Sequence, residues 1–351
     1  MVRGIGSIRY NTSMSAFELP LSSSVPLVDR FGRIHNNLRI SVTDRCNLRC
    51  TYCMPEDVQF LDRDELLSFE EIQKFVAAVQ PLGVNKIRLT GGEPLLRREL
   101  PSLIRLLLQI PGIHDLGLST NGLLLAGQAQ SLRAAGLKRL NISLDTLDES
   151  RFEQVTRRKG LSQVLEGIQA AREAGYESIK INAVSIRGLT ELDAIPLARY
   201  ARENQLELRF IEYMPIGADH WEREKVFFAS EILELLESEF GPISPARNYD
   251  PRSPAMDFEY ADGGGRIGII ASVSRPFCRN CNRIRLTAEG KFRNCLFALD
   301  EVDVKSILRS QQDTHRLQEI IIESVRQKWE GHEINTARFV KPQRTMHAIG
   351  G

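Results

Sequence analysis

Nowhere does the 351-residue chain run apolar for about 18 residues, the least that spans a bilayer as a helix, so a membrane span is not expected. Neither sign of charge is in excess, with 46 Lys and Arg against 45 Asp and Glu. Bulk charge therefore gives no reason to expect a nucleic acid, and affinity for phosphate has to come from local clustering. Residues 1–29 mix Ser, Pro and Arg without clear periodicity and lack the apolar middle of a secretory signal. Glu18 and Asp29 argue against a transit peptide. Residues 1–32 are thus expected to form a loosely ordered extension. Cysteine is missing from most of the chain, because all six fall in two compact groups. That distribution suits metal clusters in a reducing, cytoplasmic compartment better than a disulfide framework.

The first group is Cys46-Asn47-Leu48-Arg49-Cys50-Thr51-Tyr52-Cys53, just after the apolar run Leu38 to Val42. No fourth cysteine or histidine follows nearby. Structural zinc is closed by four ligands, so a three-ligand site leaves one metal position open. Three thiolates fit three corners of a 4Fe–4S cube, whose fourth iron is then free for a small molecule. A tetrahedral zinc completed from elsewhere stays open as the alternative.

From Leu38 to Met214, strand-like and helix-like segments alternate. The spacing predicts strands at 38–43, 85–90, 114–119, 138–144, 178–185 and 206–214, with helices at 68–80, 98–109, 126–135, 163–174 and 190–203. Ser68 and Glu71 have the spacing of a capping box. Gly83 and Gly175 stand where a helix end takes left-handed backbone. Repeated βα units imply parallel strands in an α/β fold, either an open barrel or a doubly wound sheet. The strands alternate: Arg39, Lys86, Arg88, Asn141, Ser143, Lys180 and Asn182 interleave with Leu and Ile. Each strand thus has one apolar face for helices and one polar face. A parallel sheet rarely leaves a face wet, so the polar faces are expected to line a cationic lumen. The cysteine loop, Gly91-Gly92-Glu93-Pro94, Ser119 to Gly122 and Ser143 to Asp145 all fall at strand C-terminal ends.

Beyond Met214 the βα rhythm stops. A helical stretch, Ser230 to Phe240, leads into turn-rich sequence from Gly241 to Gly265, within which Tyr249 to Gly264 is loop-like and uninformative. The second group follows, Cys278-x2-Cys281-x13-Cys295, again without an obvious fourth ligand. Around it lie Arg275, Arg279, Arg283, Arg285, Lys291 and Arg293 against Glu289 alone. Arginine forks match phosphate oxygens in pairs, so a polyphosphate beside this site is expected. A zinc ribbon short of one ligand is the competing reading.

Cys46-x3-Cys50-x2-Cys53, Gly91-Gly92-Glu93-Pro94 and Cys278-x2-Cys281-x13-Cys295 together resemble the GTP 3′,8-cyclase family of radical S-adenosylmethionine enzymes, which opens molybdenum-cofactor biosynthesis. The first motif marks only the superfamily. The second triad and the terminal Gly350-Gly351 narrow it to the cyclases. The resemblance implies an incomplete (βα)6 barrel over 33–225 and a C-terminal domain over 226–351 that holds a second cluster and ends in the Gly-Gly tail. It implies two 4Fe–4S clusters, one on Cys46, Cys50 and Cys53 and one on Cys278, Cys281 and Cys295. S-adenosylmethionine would bind the first, with contacts from Tyr52, Gly92, Ser143 and Met214. GTP would meet the second, with contacts from Arg39, Arg88, Ser119, Lys180, Arg283, Ile284 and Arg285, and Arg209 near its triphosphate. Arg283 and Arg285 would serve catalysis with the first cysteine triad, and the tail would reach the active site.

The same resemblance implies the reaction. One-electron reduction of the first cluster cleaves S-adenosylmethionine to a 5′-deoxyadenosyl radical, which takes hydrogen from C3′ of the GTP ribose. The C3′ radical adds to C8 of guanine, and reduction of the aminyl radical gives 3′,8-cyclo-7,8-dihydro-GTP. The implied partners are an external one-electron reductant and cyclic pyranopterin monophosphate synthase, which takes the product onward. A homodimer is compatible with it.

Overall fold

The computed structural model describes residues 26–217, 220–248, 250–310 and 314–351. Residues 1–25 of the expected extension lie outside the described residues. Residues 26–32 are not a loose tail: Leu27 and Asp29 are buried, and Val28 forms a bridge with Ile34.

Six strands and five helices alternate close to where the periodicity puts them. The strands are β1 (Asn37–Ser41), β2 (Lys86–Thr90), β3 (Asp115–Thr120), β4 (Arg139–Ser143), β5 (Ser178–Ser185) and β6 (Glu207–Glu212). The helices between them are α1 (Phe69–Val79), α2 (Leu100–Leu108), α3 (Ala129–Ala134), α5 (Leu161–Glu173) and α6 (Thr190–Glu203). A further helix, α4 (Glu149–Thr156), lies outside the segments that the spacing predicts; Asp148 caps it by accepting from the Arg151 N–H at 2.8 Å. At the start of α1 the capping box forms: Ser68 Oγ accepts from the Glu71 N–H at 3.1 Å, and the Glu71 carboxylate accepts from the Ser68 N–H at 2.8 Å. Two orphan donors of the first turn are thereby satisfied. Gly83 (φ 91°) and Gly175 (φ 72°) take the left-handed backbone expected of them.

The segment after α7 (Ala229–Phe240) completes this sheet. Strands β7 (Ile243–Pro245), β8 (Met256–Tyr260), β9 (Arg266–Ile270), β10 (Arg283–Leu286), β11 (Lys291–Arg293) and β12 (Val302–Asp303) are followed by α8 (Lys305–Arg309), α9 (Thr314–Arg326) and α10 (Met346–Ile349). The order is β12-β11-β10-β1-β2-β3-β4-β5-β6-β9-β8-β7. β10 joins β1 in parallel on one side, with Arg39 beside Arg285, and β9 joins β6 in parallel on the other. The six-stranded open barrel thus gains a parallel strand at each edge and an antiparallel hairpin beyond each, and it does not close. The turn-rich sequence from Gly241 to Gly265 thus contains β7 and β8, and β8 falls in the stretch up to Gly264 that was expected to be loop.

Alternation decides which face is core. Leu38, Ile40, Ile87, Leu89, Leu140, Ile142, Ile181, Leu208 and Phe210 are buried under the helices, while Arg39, Arg88, Asn141, Lys180 and Arg209 face the other side. α1 packs on α2 and α9, and Phe75 of α1 meets Phe292 of β11 with ring centroids 6.3 Å apart. Because Phe75 is fully buried at this junction between the two halves of the chain, Phe75→Ala is expected to cost about 3–5 kcal/mol of stability. Urea unfolding of the two proteins measures it.

Candidate active site

The loops after the parallel strands surround one cavity of about 550 Å³. Both cysteine triads line it. So do Tyr52, Gly92, Ser143 and Met214, and also Arg39, Arg88, Ser119, Lys180, Arg209, Arg283 and Arg285. Ile284 does not. It is fully buried in the apolar core beside Leu38, as strand alternation requires of the residue between two lumen-facing arginines. Only its main chain is left to meet a ligand.

The first triad is seated by close backbone packing. The Gly92 N–H donates to the Thr43 carbonyl at 2.7 Å, and the Glu93 N–H donates to the Arg45 carbonyl at 2.7 Å. A methyl group on Gly92 would stand 2.4 Å from the carbonyl oxygens of Asp44 and Arg45, so glycine alone permits this approach. The buried Glu93 carboxylate then ties the ends of β2 and β3 together, accepting from the Leu95 N–H at 2.9 Å, the Thr120 hydroxyl at 2.7 Å and the Asn121 N–H at 2.7 Å. Asn121 Nδ2 reaches Cys46 Sγ at 3.8 Å. On the opposite flank the Tyr52 hydroxyl donates to Asp145 at 2.7 Å, and Asp145 also accepts from the Val184 N–H at 2.8 Å. At the end of β6, buried Glu212 accepts from the Ala229, Val273 and Ser274 N–H groups at 2.7–3.0 Å. Glu93, Asp145 and Glu212 have structural roles that the sequence did not single out.

The two triads differ at Cys281, while burial raises Cys278 as it raises Cys46 and Cys50 of the first triad. Burial pushes Cys46 up to about 11, and burial with the charges of Cys53 and Asp145 pushes Cys50 well up. Around the second triad burial acts the same way, yet Arg283 and Lys328 overcome it and bring Cys281 down to about 6. Arg283 also stacks over Phe277 at 4.2 Å, and its Nε and Nη2 are buried without a hydrogen-bond partner. A buried guanidinium with two unmatched donors is left short of an acceptor.

The lumen is cationic, as the alternation implied. Burial, the nearby Arg139 and then Arg39 lower Arg88 to about 9; burial and Arg283 lower Arg39 to about 10. Arg88 donates to Asn141 Oδ1 at 3.2 Å, passing over Gly117, where a methyl would stand 2.5 Å from its guanidinium. Glu207 accepts from Lys180 at 2.6 Å and from Arg209 at 2.5 Å. Arg285 donates to the Gly350 carbonyl, and Gly351 lines the cavity. The tail is threaded here because Gly350 adopts φ 85° with Thr90 and Ser41 against it, leaving no room for a side chain.

Of the six cations around the second triad, Arg283 and Arg285 alone line the cavity among the described residues. Arg293 is buried elsewhere, donating to Glu301 and to the carbonyls of Leu296 and Ala298, while Lys291 pairs with Asp303 at 3.3 Å. Lys86 lines it too, and so do groups that were not singled out, among them Arg139, Asp257, and Asp250 with Arg252, Ser253 and Pro254. Lys86 was legible from alternation, but the loop carried no signal.

The donor sets suit clusters better than single ions. None of the six cysteines is joined in a disulfide, and among the described residues no three His, Cys, Asp or Glu converge on a point as one metal ion requires. Ligands of a 4Fe–4S cube stand wider, since each binds a different iron.

An open parallel barrel with a three-cysteine loop at its mouth has the build of a radical S-adenosylmethionine enzyme. Residues 40–201 match the family model described as Radical SAM superfamily, and residues 206–334 match Molybdenum Cofactor Synthesis C. In fold, the chain is like Streptococcus suis SuiB bound to S-adenosylmethionine, with a TM-score of 0.60 at 14% identity, over 84% of this chain and 68% of that one. The sequence relatives are more specific. The chain is 48% identical over 350 residues to the GTP 3′,8-cyclase of Rhodopirellula baltica, covering 98% of each. It is 43% identical to that of Thermodesulfovibrio yellowstonii, covering 92% of this chain and 99% of the relative. The chain belongs to the GTP 3′,8-cyclase family, whose cofactors are 4Fe–4S clusters and S-adenosylmethionine.

Burial raises the Glu93 carboxyl from its ordinary 4.5 to about 7, the three donors only partly opposing it. A raised folded-state value means the folded protein holds this proton more tightly than the unfolded chain. The associated stability, at most about 3 kcal/mol, is present below about pH 4.5 and lost as pH climbs to about 7. Glu93→Gln removes that loss. Urea midpoints of the iron-free proteins at pH 5 and pH 7.5 should fall more for the parent than for the variant.

Proposed function

We propose that this cavity converts GTP to 3′,8-cyclo-7,8-dihydro-GTP, the first step of molybdenum-cofactor biosynthesis. The observation that carries the reading is the opening of both thiol triads, with a cationic strand face between them, onto one cavity of about 550 Å³. In this reading 33–225 supply the radical end and 226–351 the substrate end. Cys46, Cys50 and Cys53 hold one 4Fe–4S cluster, and Cys278, Cys281 and Cys295 hold the other. Held by Cys46, Cys50 and Cys53, that cluster would supply the one-electron chemistry that makes a radical from S-adenosylmethionine.

The chain's own residues do the rest by position and charge. Gly92 brings main chain to the rim of the first triad, where no side chain intervenes, and Tyr52, Ser143 and Met214 flank the same space. Arg39, Arg88, Lys180 and Arg209 meet the triphosphate from the strand face, with Ser119 offering a hydroxyl. Ionic hydrogen bonds there are stronger than in water because the lumen is recessed. Glu207 holds Lys180 and Arg209 in place until phosphate oxygens replace it. Arg283, with two donors unmatched, and Arg285 hold the guanine end beside the second triad. The Ile349-Gly350-Gly351 tail fills the space that water would otherwise enter. A one-electron reductant acts from outside, the product passes to cyclic pyranopterin monophosphate synthase, and the enzyme works in the cytoplasm, as a homodimer if it self-associates. Among the described residues no helix is long and apolar enough to cross a membrane.

The test is anaerobic incubation with GTP, S-adenosylmethionine and a strong reductant. The cyclised nucleotide and 5′-deoxyadenosine are expected from protein carrying about eight irons; zinc in place of iron would sink the reading. Cys53→Ser should form no 5′-deoxyadenosine while still binding GTP. Arg285→Ala should weaken GTP binding at least about tenfold, since a hydrogen bond to a charged group contributes about 1.5–3 kcal/mol. Its iron content should stay near normal. Unchanged affinity, measured by equilibrium dialysis, would contradict the assignment.

A further inference from the structure

Behind the second triad, away from the cavity, lies a buried ionic group that the reaction as described does not use. Lys328 follows α9 and is 2% exposed. A lysine ammonium has three protons and accepts nothing, and the partners of all three are identifiable. One goes to the Arg283 carbonyl at 2.8 Å, one to His35 Nδ1 at 3.4 Å, and one to Cys281 Sγ at 3.6 Å. His35, itself fully buried, places Nε2 3.0 Å from Asp29 Oδ2. Because an ammonium can only donate to Nδ1, the ring proton must sit on Nε2 and point at the carboxylate. The direction of the chain is thereby fixed: Lys328 donates to His35, and His35 donates to Asp29.

Charge balance then identifies what Lys328 serves. A buried ammonium with no counter-charge is costly. Asp29 is not that counter-charge, for Arg33 Nε lies 2.6 Å from its Oδ2 and neutralises it. Arg33 also donates to the carbonyls of Cys278, Glu330 and Trp329 at 2.6–2.7 Å, so the segment before β1 clamps the second triad's own backbone. His35 is held neutral, with burial and the Lys328 charge bringing it down to about 4. The anion within hydrogen-bond reach of Lys328 is therefore the Cys281 sulfur. Hydrogen bonds to the sulfurs and net charge near a cluster are among the determinants of its reduction potential, and such outer partners also fix how a ligand is oriented.

We propose that Lys328, oriented by His35 and Asp29, is a positioning residue that raises the reduction potential of the cluster held by Cys278, Cys281 and Cys295. This rests on the two-cluster reading above. The donor draws electron density from the thiolate and places positive charge beside the cluster, so an added electron is better stabilised. The effect is local to the second triad, since among the described residues the hydrogen bonds of Lys328 run to Arg283, His35 and Cys281 and not to the first triad.

The experiment uses the full-length chain with Cys46→Ala, Cys50→Ala and Cys53→Ala, so that one cluster titrates. Its midpoint potential is read by an electron-paramagnetic-resonance titration, with iron counted per chain. Lys328→Met and Lys328→Gln are expected to lower the one-electron reduction equilibrium at least tenfold, a shift of about 59 mV or more to the negative. Lys328→Arg should stay near the parent. An unchanged potential in an iron-loaded Met or Gln variant overturns the inference and leaves the cluster reading intact. A parent without iron overturns the cluster reading, and the inference with it. Loss of iron from Met and Gln with retention in Arg supports the need for charge here; loss from all three overturns it, because shape rather than charge is then required.

Discussion

Positive charge gathered in a water-poor interior is the constraint that orders this molecule. Arg39, Arg88 and Arg285 line the same lumen, and each is held below its ordinary value by burial and then by a neighbouring cation: Arg283 beside Arg39, Arg139 beside Arg88, and Arg39 beside Arg285. Desolvating one guanidinium is costly, and placing several together adds mutual repulsion. Within the chain the compensation is thin: Asn141 for Arg88, the Gly350 carbonyl for Arg285, and Glu207 shared by Lys180 and Arg209. What remains is a deficit of negative charge, concentrated where a triphosphate would lie. The folded protein carries an electrostatic cost that a bound anion would offset, a familiar reason why binding sites are less stable than the scaffolds around them.

The scaffold tolerates this because the other face of the same strands is an aliphatic core. Leu38, Ile40, Leu89, Leu118, Leu140 and Ile181 are fully buried under the helices, and burial of that kind dominates folding energy. Precision at the strand ends comes from a different device. Glu93, Asp145 and Glu212 are buried carboxylates that accept mainly backbone N–H groups from neighbouring loops. A buried anion with several donors is a rigid cross-link, since losing any donor leaves charge unsatisfied. Three such links hold the loops that present the first triad, Tyr52 and the Ser272–Ser274 turn. The second triad is braced from behind by Arg33, His35 and Lys328.

The two halves of the chain share one sheet. β9 and β10 extend the sheet of β1 to β6 at both edges, so the C-terminal segment is wrapped around the open barrel. The two thiol triads come to line one cavity because the strand preceding one pairs in parallel with the strand following part of the other. This arrangement also explains why residues 26–35 are ordered: they fill the seam where Cys278 and Cys281 meet the edge of β1.

Local periodicity was enough for the six βα units, the capping box at Ser68, the lumen-facing arginines and lysine, and both cysteine triads. Those features repeat over two to four residues, the range within which backbone geometry forces a side chain to one face or another. The same rule removed Ile284, whose neighbours on β10 take the lumen. Beyond that range the sequence was silent. The edge that β9 and β10 join, the burial of Arg293 away from the cavity, the cavity-lining turn at Asp250 to Pro254 and the Asp29–His35–Lys328 chain each depend on residues far apart in sequence. Pairing at such distance is selected by the summed fit of two surfaces, and no local pattern encodes it. The residue types and spacings alone picked out the candidate groups for the chemistry; tertiary packing decided which charges face one another, because electrostatic partnership depends on distance through space and on how much water is excluded between the groups.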